Sequence, residues 1–126
     1  MKKITLILFL AFSMLVTNNS YAQLGKIVPK PDLTKSLNDV TDLGFDDNQT
    51  KALKKQNDKF VDDLFDIVDG DKSEDDKKIA LRNLKDENER SLTNALGVDG
   101  FKSYKKKMKK TIRPYKRKMK LLKVAL

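Results

Sequence analysis

Cysteine, histidine and tryptophan are all absent from the 126 residues. Without cysteine no disulfide braces the fold, so stability has to come from helix packing, helped in a chain this short by pairing with a second copy. Without histidine the commonest general base and the commonest transition-metal ligand are missing. With cysteine gone as well, a zinc or copper site is disfavoured. The serines have no recognisable activating neighbour, and no glycine-rich phosphate loop is present. The expectation is therefore no catalytic residue, no cofactor, no metal site and no enzymatic activity. Strand-like alternation over a useful length is also missing, which leaves an all-α fold.

The sharpest absence is local. Residues 100–126 contain no Asp or Glu and 12 Lys or Arg, whereas residues 23–99 hold 13 basic and 18 acidic side chains. The chain is electrically bipolar, which favours self-association and steers anionic partners to one end. Through the basic stretch runs an apolar stripe of Phe101, Tyr104, Met108, Ile112, Tyr115, Met119 and Leu122, spaced by three and four. That is one face of a helix. Pro114 falls inside it, removing a ladder bond and predicting a kink near Arg113. The stripe keeps its phase across the proline, which predicts one kinked amphipathic helix and no change of direction.

The N-terminus reads as an export signal. Lys2 and Lys3 precede an apolar run from Ile4 to Val16, and Ser20-Tyr21-Ala22 supplies small residues for cleavage before Gln23. The expected organisation is a signal peptide at 1–22, an arm with a short helix at 23–44, and a single all-α domain at 45–126. The expected location is the periplasm. Gly25, Pro29 and Pro31 predict an arm with little regular structure up to Pro31, with a short helix near 32–41.

Within the domain, Asp46 and Gln49 form a capping box for a helix with Phe45 as its apolar staple. Leu53, Phe60, Val61, Leu64, Phe65, Ile67 and Val68 give that helix a wide apolar face, and Gly70 ends it. Asp58, Asp62, Asp63, Asp66 and Asp69 crowd its surface toward the C-terminal end, where the helix dipole opposes them. Ser73 caps a second helix, and Gly97 is placed for its left-handed C-terminal cap. Asp69, Asp71 and Ser73 fit the first three ligand positions of a calcium loop. Glu74 and Ala80 then stand where such a loop needs Gly and a bidentate Glu, so the segment reads as a polar turn. The predicted fold is a helical hairpin plus a long, kinked, basic C-terminal helix, and the charge asymmetry favours head-to-tail or antiparallel self-association.

Two segments resemble the Spy-like family of periplasmic chaperones, small exported all-α proteins marked by Leu-Thr-x-x-Gln repeats. Phe45-Asp46-Asp47-Asn48-Gln49 matches the apolar, capping and Gln positions, with Phe for Leu and Asp for Thr. The second segment keeps Leu96, Phe101 and Tyr104 in register and carries Gly97 and Gly100 where the repeat has Thr and Gln. The resemblance spans residues 43–112. It implies an antiparallel homodimer shaped as a cradle, whose basic and apolar concave face holds non-native proteins without ATP. Relatives that handle metals do so through His-rich segments, which this chain lacks.

Lys102, Lys105, Lys106, Lys109, Lys110, Arg113, Lys116, Arg117 and Lys120 are accordingly expected to contact clients. Met108 and Met119 are their adaptable apolar partners. Export makes nucleic acid a poor partner despite the charge. The aromatics also sit on the apolar face and not among the lysines, which suits base stacking badly. A second expectation is a structural or adaptor protein whose basic helix docks on an anionic membrane surface or an acidic partner.

Overall fold

The computed structural model describes residues 23–126; the expected signal peptide lies outside the described residues. The described chain is all-α: α1 (Gln23–Ile27), α2 (Lys30–Leu37), α3 (Asp47–Asp69), α4 (Glu74–Thr111), α5 (Arg113–Lys118) and α6 (Lys120–Ala125). One continuous apolar core joins all of them. Among the described residues no helix is long and apolar enough to cross a membrane.

The hairpin forms where the caps place it. Asp46 accepts from the Gln49 amide at 2.7 Å, and Gln49 Oε1 accepts from the Asp46 amide at 3.1 Å. This reciprocal pair satisfies two otherwise orphaned donors and contributes about 1 kcal/mol. At the far end Lys77 Nζ donates to the Val68 carbonyl at 2.7 Å, and Ser73 Oγ accepts from the Asp76 amide at 3.2 Å. Ser73 is therefore a cap, and Asp69 Oδ1 is engaged by the Leu24 amide.

Two of the crowded acids of α3 reach the N-terminal segment. Asp69 holds α1, and Asp62 pairs with Lys30 at the start of α2. The carboxylates oppose their own helix dipole but fasten the N-terminal segment to α3. The segment is consequently more ordered than its Gly and Pro content predicts. Leu24, Val28 and Leu33 are fully buried, and Pro31 sits in the first turn of α2, where its missing amide costs nothing. The arm is part of the single core.

α4 is continuous in name only. Gly97 interrupts it with φ 76 and ψ 167, a region that only glycine occupies freely. Residues 98–111 then run back along residues 74–96. Lys105 pairs with Glu89 at 3.5 Å, whereas an unbroken helix would place these residues about 24 Å apart. Gly97 does end a helix, as the sequence predicts, and it also reverses the chain.

The C-terminal segment differs from a single kinked rod. The expected break occurs at Ile112, with Pro114 in the first turn of α5. A second break falls at Met119, which is extended (φ −153, ψ 133), and α6 turns back. Leu121 shares a cleft with Glu74 and Lys77, Val124 one with Arg82 and Lys85, and Ala125 one with Leu92. α6 therefore runs alongside the first arm of α4 in the same direction. The stripe keeps its phase because each short piece turns the same side to the core. Burying Leu121, Leu122 and Ala125 against α4 is what drives the return.

Substituting Gly97→Ala is expected to lower stability by about 1–3 kcal/mol, because the conformation alone is unfavourable to any side chain. An added Cβ there meets nothing within 4 Å. The control Gly25→Ala, also in open space but in a helix, is expected to be neutral or slightly stabilising. Urea unfolding followed by circular dichroism measures both.

Candidate binding face

The two segments that carry the family resemblance meet at one end of the bundle. Gln49 completes its box and also donates through Nε2 to the Leu96 carbonyl at 3.3 Å, capping the helix that ends there. The Phe45 ring rests on Gly100, where an added Cβ would lie 3.3 Å from the ring and 3.1 Å from the Leu96 Cβ. Phe45 thus reaches across to another helix. Gly100, a departure from the repeat in sequence terms, is the seat for that ring.

Tyr104 reaches deeper. It is 4% exposed; its hydroxyl donates to the Leu37 carbonyl at 2.8 Å and accepts from Asn57 Nδ2 at 3.1 Å. Asn57 Nδ2 also faces the Leu37 carbonyl and Asn38 Oδ1, each at 3.0 Å. One buried knot thus joins α2, α3 and the returning basic helix. Sequence reasoning missed Asn57, although its position was legible: it interrupts the apolar register between Leu53 and Phe60.

The basic helix 98–111 has three sides. Tyr104, Met108 and Ile112 face the core. On one flank Lys107 pairs with Asp39 and Asp42, beside the turn that follows α2; the Lys107 ammonium holds the Asp42 carboxyl below its ordinary range. Lys107 was not singled out from the sequence, because its acids are remote along the chain. On the other flank Lys105 pairs with Glu89 and lies 5.9 Å from the Phe101 ring centroid.

Facing outward are Lys102, Lys106, Lys109, Lys110 and Arg113, continued by Arg117 and Lys120; all are exposed. None of these seven makes an ion pair among the described residues. Lys116 is half-buried. Burial pulls its ammonium below the ordinary value, and the Lys85 and Lys109 charges act in the same direction. Met108 corrects one expectation: at 4% exposure it belongs to the core, since the fold-back turns its side of the helix onto α3 and α4. Met119 is half-buried at the second break. The face therefore offers an outer row of free cations, flanked by the half-exposed Phe101 and Val124.

No protein-family model matches this chain, and neither the curated proteins nor the solved structures hold a significant match.

Burial pushes the Tyr104 hydroxyl up to about 12, partly opposed by the Asn57 hydrogen bond. The unfolded chain releases this proton near 10, so between those values the folded state binds more protons. The contribution is fully present below pH 10 and is lost as pH rises toward 12, about 2–3 kcal/mol in all. Tyr104→Phe is expected to cost about 1–2 kcal/mol near neutrality, by removing two hydrogen bonds from the buried knot, while Asn57 and the Leu37 carbonyl keep each other. It is also expected to flatten the alkaline fall relative to the parent chain. Urea midpoints collected from pH 8 to about pH 12 check both.

Proposed function

We propose that the chain is an exported, ATP-independent, chaperone-like protein that binds non-native proteins through the outer face of its basic helix. The reading rests on one observation above the others. The seven outward-facing cations of the outer row have no carboxylate partner among the described residues, although the same fold pairs Lys105 and Lys107 with acids. Non-native chains carry both of the features this face suits. Their exposed acidic segments are drawn to it over a distance set by ionic strength, and their apolar side chains find Phe101 and Val124 beside it. Export supports a protein client over a nucleic acid. The resemblance of the Phe45–Gln49 and Leu96–Tyr104 segments to Spy-like chaperones supports the same reading, with an antiparallel homodimer as the working form.

The test is suppression of light scattering by a chemically denatured acidic client, diluted into buffer with the chain spanning residues 23–126. Suppression is expected at ~10 mM ionic strength, where charges act over ~30 Å, and is expected to fade toward ~1 M, where the range is ~3 Å. Replacing Lys102, Lys106, Lys110, Arg113 and Arg117 by Gln is expected to reduce it strongly at low salt. No suppression at low salt would sink the proposal. Co-sedimentation with anionic vesicles, without any effect on aggregation, would replace it by the adaptor reading.

A further inference from the structure

A cavity of about 210 Å³ opens where residues 74–96, the returning helix 98–111 and α6 cross. Its floor is apolar and buried, formed by Phe60, Leu92, Met108, Ile112 and Ala125. Asn57 also lines it, and Asn57 Oδ1 is buried with no hydrogen-bond partner. Four lysines ring the mouth: Lys85, Lys105, Lys109 and Lys116. Glu89 is the only acidic side chain among the lining residues, and Lys105 already engages it.

Lys85, Lys109 and Lys116 remain. No carboxylate lies within ion-pair distance of any of them among the described residues. The Lys85 and Lys109 charges are close enough to act on Lys116. Like charges gathered beside a low-dielectric cavity repel more strongly than they would in open water. No ion pair among the described residues offsets this repulsion; an anion seated between them would. The apolar floor specifies the rest of that anion. A dry, wholly apolar cavity of about 150 Å³ takes up benzene, so the apolar floor here has room for one ring or a short alkyl chain.

We infer that this cavity is a binding site for a small amphipathic carboxylate, its head between Lys85, Lys109 and Lys116 and its apolar body over Leu92, Met108 and Ile112. A neutral apolar molecule would leave the lysines uncompensated, and a compact inorganic anion would leave the floor unfilled. An amphipathic cation would meet three like charges at the entrance. The site is on the flank of the basic helix and shares only Lys109 with the outer row of cations. Its existence does not depend on chaperone activity, and the two readings are tested by separate assays that can fail independently.

The probe is octanoate, titrated below its micellar concentration into the chain spanning residues 23–126. Methyl resonances of Met108 and Ile112 are followed by NMR, with calorimetry for stoichiometry. Saturable binding of one octanoate per chain is expected, with shifts concentrated at those two methyls. Octanol is expected to bind about tenfold more weakly or worse, and octyltrimethylammonium not at all. Lys109→Gln combined with Lys116→Gln is expected to weaken octanoate by about tenfold or more while leaving the unfolding midpoint nearly unchanged, since neither lysine is fully buried. Absence of saturable shifts at Met108 and Ile112 would overturn the inference. So would equal binding of the ammonium probe, or octanoate affinity that ignores the two lysine substitutions.

Discussion

The rest of the structure depends on the backbone at Gly97. Its φ of 76 with ψ of 167 turns the chain at a point where a continuous helix would carry the basic segment away from the hairpin. Because the chain turns, Tyr104 reaches Leu37 and Asn57, Lys107 reaches Asp39 and Asp42, and Lys105 reaches Glu89. The basic segment thereby stops being an appendage. It becomes the third helix of a bundle whose core it completes with Tyr104, Met108 and Ile112. A protein with no disulfide has few other means of holding a strongly cationic helix against itself. The long-range ion pairs are exposed and individually weak, so the apolar seam and the buried Tyr104–Asn57 knot carry the attachment.

This arrangement sorts the charge of the chain by role. Acids at the C-terminal end of α3 fasten the N-terminal helices, with Asp62 on Lys30 and Asp69 on the Leu24 amide. Asp39, Asp42 and Glu89 fasten the flanks of the basic helix. The outer row is left with cations alone, and the cavity flank with Lys85, Lys109 and Lys116. The bipolar sequence is thus partly self-compensated within one chain. Two of the surfaces left uncompensated border the basic helix, one broad and one concave. The first suits extended acidic and apolar chains, and the second suits a single small anion.

Much of the local structure was legible in the residues. The Asp46–Gln49 box, the Ser73 cap, the stop at Gly97 and the break before Pro114 all follow from donors and acceptors a few residues apart. The apolar stripe from Phe101 to Leu122 was legible as a buried face for the same reason. What escaped was set by partners far along the chain. Burial of Leu24, Val28 and Leu33 overrides the Gly and Pro content of the arm. The extended conformation of Met119 has no local signature, since only docking of Leu121, Leu122 and Ala125 on α4 rewards it. A helical wheel records which side of a helix is apolar, not where the next segment goes, so an in-phase stripe was compatible with both a rod and a fold-back. Lys85 and Lys107 gained their significance from the reversal, and no spacing rule singles them out.

The reversal places every contact of the basic helix, and a distance across it is the most direct measurement. Spin labels on Glu89→Cys and Lys105→Cys, in a chain diluted with unlabelled protein, report the separation within one molecule. The fold-back predicts strong dipolar broadening from labels well inside the ~24 Å that a continuous helix would span between these positions. A resolved separation near or beyond that value, with no broadening, would show the basic helix extending away from the hairpin and would contradict the site built here.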